Sequence, residues 1–227
     1  MGGAPHRNAR SWMALILGAI SLGTGLAWML AAGWGVAPLD AFIAGTSELT
    51  GLTVGTVIII VSLFFLVGSW LLGSRPGWGT LIAFVGVGAV VDAWNLLVFD
   101  FLGWAPDTWV IASRVGLWIV GFALFALGVV ATLASDLGAN PYDQIVRAAH
   151  ERFGISLWMS RLAFDGVVLV LAFLLGGAWG AGTIAILVLM PLAMGSLTPR
   201  VRDWVHRQNF SSGSPGSVAD DRARVTE

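Results

Sequence analysis

The sequence predicts an all-α, polytopic membrane protein: six transmembrane helices arranged as two inverted three-helix repeats, each with a short Pro-started helix after its first span. Three observations lead there. The 227 residues are 57% apolar and only 11% charged, with mean hydropathy +0.83, whereas a soluble domain is about 25% charged. Six apolar runs are each long enough for roughly 30 Å of hydrocarbon at about 1.5 Å per residue. A short polar stretch, GVAPLDAFIAGTSELTG at 35–51, returns as GANPYDQIVRAAHERFG at 138–154.

Residues 1–11 are polar, carry His6, Arg7 and Arg10, and are expected as a cytoplasmic segment. The first apolar run is Trp12–Ala32. Its basic flank fits a signal peptide, but it is longer than a typical signal core, and its removal would break the repeat. The next runs are Val54–Leu72 and Thr80–Val98, split by the turn GSRPGWG. After a polar interval with Asp100, Pro106 and Asp107 come Val110–Ala134, Leu157–Leu175 and Ala181–Leu197. One membrane domain is therefore expected over 12–198, with repeats at about 12–98 and 110–198. The Arg-rich, Ser/Gly-rich tail at 199–227 reads as cytoplasmic and disordered. Every intervening segment on one side carries Arg (Arg75, Arg147, Arg152, Arg200, Arg202, Arg207), whereas 33–53, 99–113 and 176–180 carry none. The excess of positive charge puts both termini in the cytoplasm of a plasma or inner membrane.

The repeat has an offset of 103 residues. Gly35/Gly138, Pro38/Pro141, Asp40/Asp143, Glu48/Glu151 and Gly51/Gly154 align without a gap. Gly18/Gly121 and Gly25/Gly128 precede them; Gly73/Gly176, Gly77/Gly180, Gly79/Gly182 and Thr80/Thr183 follow. An odd number of spans per unit inverts the second relative to the first, a recurrent transporter arrangement with its site between the repeats. Each Pro suits the first position of a helix, each Asp its first turn, and each Gly its end. A helix of about 12 residues, or about 18 Å, is too short to span. It either dips into the bilayer or lies in the interface.

The pattern G-x-x-P-x-D followed by G-x-G-T-[LI], given twice, resembles the YczE/YyaS/YitT family of bacterial membrane proteins. Here it reads Gly35–Pro38–Asp40 with Gly77–Gly79–Thr80–Leu81, then Gly138–Pro141–Asp143 with Gly180–Gly182–Thr183–Ile184. The resemblance covers about residues 12–198. It implies a membrane location and this helical fold more than an activity, since members are largely uncharacterised. Some YitT-like members carry a soluble C-terminal domain; the short tail here departs from that, and a role tied to such a domain is not implied.

Candidate binding residues are those that a membrane interior makes costly or a helix start makes reactive. Asp92 lies deep in the third run, with Asn95 on the same face; an ionisable group there faces a cavity or a partner. Arg161 and Asp165, at i and i+4, can pair with each other. Asp165 aligns with Ser62 and Asp92 with Gly195, so neither is repeated. Pro38, Asp40, Pro141 and Asp143 are candidate gates or substrate contacts. Gly79–Thr80 and Gly182–Thr183 open helices, where N–H groups attract anions or Thr simply caps. The three His lie outside the runs, no Cys occurs, and no hydrolase or nucleotide-binding motif is visible. The expectation is therefore no enzyme, cofactor, metal or nucleic-acid partner. Function reads as small-solute or ion transport or export by alternating access in the lipid bilayer. The alternative is a substrate-binding or accessory, regulatory subunit acting with a partner protein; a homo-oligomer is equally compatible.

Overall fold

The structure, a computed structural model, describes residues 9–206 apart from 74–77, 107–108 and 138–139. The expectations for the N-terminal segment before Ala9, for the tail beyond His206, and for Arg75, Gly77, Asp107 and Gly138 lie outside the described residues. Among the described residues every regular element is helical. The order is α1 (Ala9–Ala32), α2 (Pro38–Thr50), α3 (Val54–Leu71), α4 (Trp78–Ala93, widening into a π-helix at Trp94–Phe101), α5 (Ile111–Ala134), α6 (Pro141–Phe153), α7 (Leu157–Leu174) and α8 (Ala181–His206). Helices α1, α3, α4, α5 and α8 are long and apolar enough to cross a membrane. The run expected as a fifth span forms α7, an 18-residue helix carrying Arg161 and Asp165.

The same local chemistry builds each half. Pro38 and Pro141 start α2 and α6, where a missing N–H costs nothing. Gly51 and Gly154 end them in the left-handed region, at φ 70° and 67°, and return their N–H groups to Ser47 and His150 carbonyls. Thr53 and Ser156 then cap α3 and α7, their hydroxyls accepting from the Thr56 and Met159 N–H groups, which satisfies donors a helix start leaves unpaired.

Large apolar side chains cover the outside of the bundle as well as its core. Phe64, Leu71, Phe101, Val170 and Ile184 face outward, while Ser69, Thr80, Ser135, Ser160 and Thr183 are buried. Water would not stabilise this arrangement, and lipid does. The central contact is α1 along α5. A Cβ on Gly25 would lie 2.4 Å from the Phe125 nitrogen and 2.5 Å from the Gly121 oxygen. A Cβ on Gly128 would lie 2.4 Å from the Leu22 nitrogen and 2.7 Å from the Gly18 oxygen. The Ser21 hydroxyl donates to the Leu124 carbonyl at 2.8 Å, and Arg114 Nε to the Ala32 carbonyl at 3.0 Å. As α1 advances the partner positions on α5 recede, so the two helices are antiparallel. Around them α4 packs on α1 and α8 on α5, while α2 packs on α7 and α6 on α3.

Two boundaries differ from the sequence reading. Helix α8 does not stop near residue 198 but runs through Pro191 and Pro199 to His206. Tertiary contacts hold its last turns: Arg202 Nη2 donates to both Asp136 carboxylate oxygens at 3.1 Å, Val205 is buried with Ala14 and Ala134, and Arg10 lies over the Trp204 ring. The third run continues to Phe101 as π-helix, beside a cluster of Trp28, Trp94, Phe99 and Trp104 rings. Trp104 and Trp109 thus pack on other aromatic rings.

The glycine crossing makes a direct prediction. Gly25→Ala forces two backbones apart and should cost about 1–3 kcal/mol, the usual price of overpacking. Gly116→Ala on the same pair of helices meets no atom within 4 Å and should be neutral or slightly stabilising. Melting of the two purified variants in one detergent checks this; equal midpoints would contradict the crossing.

Candidate functional site

The two sequence motifs turn out to be two sides of one joint, made across the halves. Gly35 has φ 101°, and a Cβ there would lie 2.6 Å from the Gly180 nitrogen and 2.7 Å from the Thr183 hydroxyl. The Gly182 N–H donates to the Trp34 carbonyl at 2.7 Å, the Val36 N–H to the Ala178 carbonyl at 3.1 Å, and the Trp118 indole to the Gly35 carbonyl at 2.8 Å. The Thr183 hydroxyl accepts from the Gly180 N–H at 3.2 Å. At the other joint a Cβ on Gly79 would lie 2.5 Å from the Leu137 oxygen, and Gln144 Nε2 donates to the Thr80 hydroxyl at 2.9 Å. Each loop before a Pro-started helix therefore seats on the helix start of the opposite half. At α8 the Gly182 N–H and the Thr183 hydroxyl are used within the fold, as capping requires.

Inside these joints lies a cavity of about 90 Å³, room for several waters or a solute of a few heavy atoms. It is walled by Leu22, Leu26, Ile43, Ile58, Phe84 and Val87, with Asp40, Ser62, Thr80, Thr132 and Asn140 supplying polar atoms and Pro141 closing one side. Both Pro-started helices thus reach the same space. Among the described residues, Asp40 is the only ionisable one lining it. Burial pushes its carboxyl up to about 7, because a charge in an apolar setting loses hydration that no cation there replaces.

Asp143, the counterpart of Asp40, has a different setting. Arg161 Nη1 approaches its Oδ1 at 3.4 Å, and Arg161 Nε approaches Asp165 Oδ2 at 3.8 Å. The Tyr142 hydroxyl donates to Asp165 Oδ1. The expected Arg161–Asp165 pair is therefore part of a four-residue network. Burial pushes the Asp143 carboxyl up, and Arg161 opposes that shift. Tyr142 was not singled out from the sequence, although the single Tyr of the chain between Pro141 and Asp143 was a readable sign.

Asp92 has partners that sequence spacing did not reveal. Its Oδ2 accepts from the Thr53 hydroxyl at 2.6 Å and its Oδ1 from the Gly55 N–H at 2.7 Å. A carboxylate from α4 thus caps the start of α3, where the helix dipole favours negative charge. Gly55 makes room for it: a Cβ there would lie 2.1 Å from the Gly88 oxygen. Asn95 falls on the π-helical turns, half-buried, away from the cavity lining. The structure thus brings Asp40, Thr80 and Pro141 to one cavity, sets Pro38 at the start of the helix bearing Asp40, and places Asp143, Arg161 and Asp165 in a separate network. Gly79, Gly182 and Thr183 belong to the joints.

The Asp40 setting predicts a pH signature. A carboxyl raised from 3.8 to about 7 in the fold binds its proton more tightly folded than unfolded. Its contribution to stability is full below about 4 and lost as pH rises through about 7. Melting of the wild type relative to Asp40→Asn should fall across that window and level above it. A pH-independent difference would place Asp40 in water.

Comparison with known proteins places the chain in a family. Residues 9–198 match the model of a family of unknown function, DUF6198. The chain is 25% identical to the uncharacterized protein YyaS of Bacillus subtilis over 170 residues, 74% of this chain and 82% of that one. It is 28% identical to the uncharacterized membrane protein YczE of the same organism over 162 residues, 70% and 72% of the two chains. An uncharacterized protein of Haemophilus influenzae is 27% identical over 173 residues, 76% of each. No solved structure matches. With most of its length matched, and with several helices long and apolar enough to cross a membrane, the chain is a multi-pass membrane protein that belongs to the DUF6198 family, with YyaS and YczE among its relatives.

Proposed function

We propose that the chain is a small-solute carrier of the cell membrane that works by alternating access. Its halves are inverted repeats of three spans each, with α7 as the sixth crossing and both termini cytoplasmic. One observation carries the reading: a single cavity is lined by Asp40 of the first Pro-started helix and by Asn140 and Pro141 at the start of the second. Discontinuous helices meeting at a repeat interface are where carriers hold their cargo. The antiparallel course of α1 and α5 supports inversion, because these helices hold equivalent places in the two halves. The reciprocal seating of each loop on the opposite half supplies joints about which the halves can rock.

Asp40 is the binding or coupling residue in this scheme, and Thr80 and Asn140 orient the solute. The Asp143–Arg161–Asp165–Tyr142 network ties α6 to α7, and Asp92 ties α3 to α4. No ATPase motif is present, so a gradient or another chain drives the cycle.

Flux into vesicles reconstituted with the purified protein alone tests the proposal. A pool of small cationic, neutral and anionic solutes under an imposed proton gradient should yield at least one that accumulates above empty vesicles. Asp40→Asn should lower that flux at least tenfold. Absence of flux for every solute, or flux only with a second protein added, would replace the carrier reading with an accessory-subunit one.

A further inference from the structure

The two halves differ at the residues around their equivalent carboxylates, and the difference has chemical content. Moving 103 residues along the chain takes Leu39, Asp40, Ile58 and Ser62 to Tyr142, Asp143, Arg161 and Asp165. In the first half, Asp40, Ile58 and Ser62 line the cavity together. In the second half, the residue equivalent to Ile58 is Arg161, and its guanidinium sits between Asp143 and Asp165. One half holds a carboxylate with a built-in cation. The other holds the same carboxylate, on the same turn of an equivalent Pro-started helix, facing a space of about 90 Å³ with no cation among the described residues that line it.

We propose that the Asp40 cavity binds a small organic cation bearing a guanidinium or ammonium group, and that the second half carries the same site filled by its own Arg161. A buried carboxylate is costly unless a cation pairs with it or it takes a proton. The apolar walls of Leu22, Leu26, Ile58 and Phe84 suit a cation with a hydrocarbon body over a fully hydrated metal ion. Ser62 offers a further oxygen to a planar, multi-donor head, beside Asn140, whose side-chain oxygen caps α6 by accepting from the Tyr142 N–H at 3.1 Å. The raised carboxyl of Asp40 is the behaviour of a group awaiting its counter-charge. The inference deepens the carrier reading and rests on it for movement of the cation; binding itself stands apart from flux.

The test is a binding titration of the full chain in lipid nanodiscs, read by calorimetry, with methylguanidinium, methylammonium and potassium as probes. Saturable binding of the organic cations is expected, with at least tenfold weaker binding in Asp40→Asn. Ile58→Arg copies the second half into the first and should abolish binding while the melting transition survives. Arg161→Ala should lower the melting temperature, and methylguanidinium should restore it. Equal methylguanidinium affinity in wild type and Asp40→Asn overturns the inference, as does undiminished binding in Ile58→Arg. So does potassium binding as tightly as either organic cation. If Asp40→Asn fails to fold, Ile58→Arg decides. Asp40-dependent binding without vesicle flux keeps this site and removes the carrier reading. Flux that no organic cation competes with keeps the carrier and removes this site.

Discussion

Everything in this fold depends on how closely α1 and α5 approach. Lipid offers no hydrophobic drive for helices to associate, so packing distance and backbone contact decide. Gly18, Gly25, Gly121 and Gly128 bring the two backbones together, and their spacing makes the contact self-complementary: Gly25 meets Gly121, and Gly128 meets Gly18. A contact in which i meets j and j meets i is what a two-fold relation requires. The outer helices then exchange partners, α2 to α7 and α6 to α3. The loop of each half thereby reaches the helix start of the other, and the cavity is enclosed by both.

The departures from symmetry lie where chemistry would differ between the halves. In the first, α3 and α4 pack closely through Gly55, Gly88 and the Asp92 cap. In the second, the equivalent positions are Trp158, Pro191 and Gly195. Both helices carry a hydroxyl cap of their own, Thr53 on α3 and Ser156 on α7; Asp92 adds a second cap to α3, and Gly195 stands at the equivalent position of α8. The first half is thus clasped at its outer pair, and most of the cavity lining comes from that half.

Much of this was legible in the sequence because backbone requirements leave residue signatures. A Pro at a helix start, a Gly at φ 70° or 67° after its end, and a Thr or Ser cap before the next helix recur in register, so the element order could be read directly. Contact could not be read in the same way. The offset identifies equivalents, such as Gly35 and Gly138, but the fold joins Gly35 to Gly180 and Thr183. Asp92 was singled out for its cost in lipid, but its partners stand 37 to 39 residues earlier. The last turns of α8 were missed because Pro199 argues for an end, whereas Asp136 and the buried Val205 hold the helix beyond it. Tyr142 was missed because its counterpart is an ordinary Leu39.

Sidedness tests the central claim most directly, and the absence of Cys makes the measurement clean. Leu49 and Arg152 are exposed and equivalent positions near the ends of α2 and α6. Single-Cys variants at each would be treated in whole cells with an impermeant thiol reagent. The account predicts labelling at position 49 from outside and at 152 only after the membrane is opened. Labelling of both from the same side would mean an even number of crossings between them, and the inverted carrier would be contradicted.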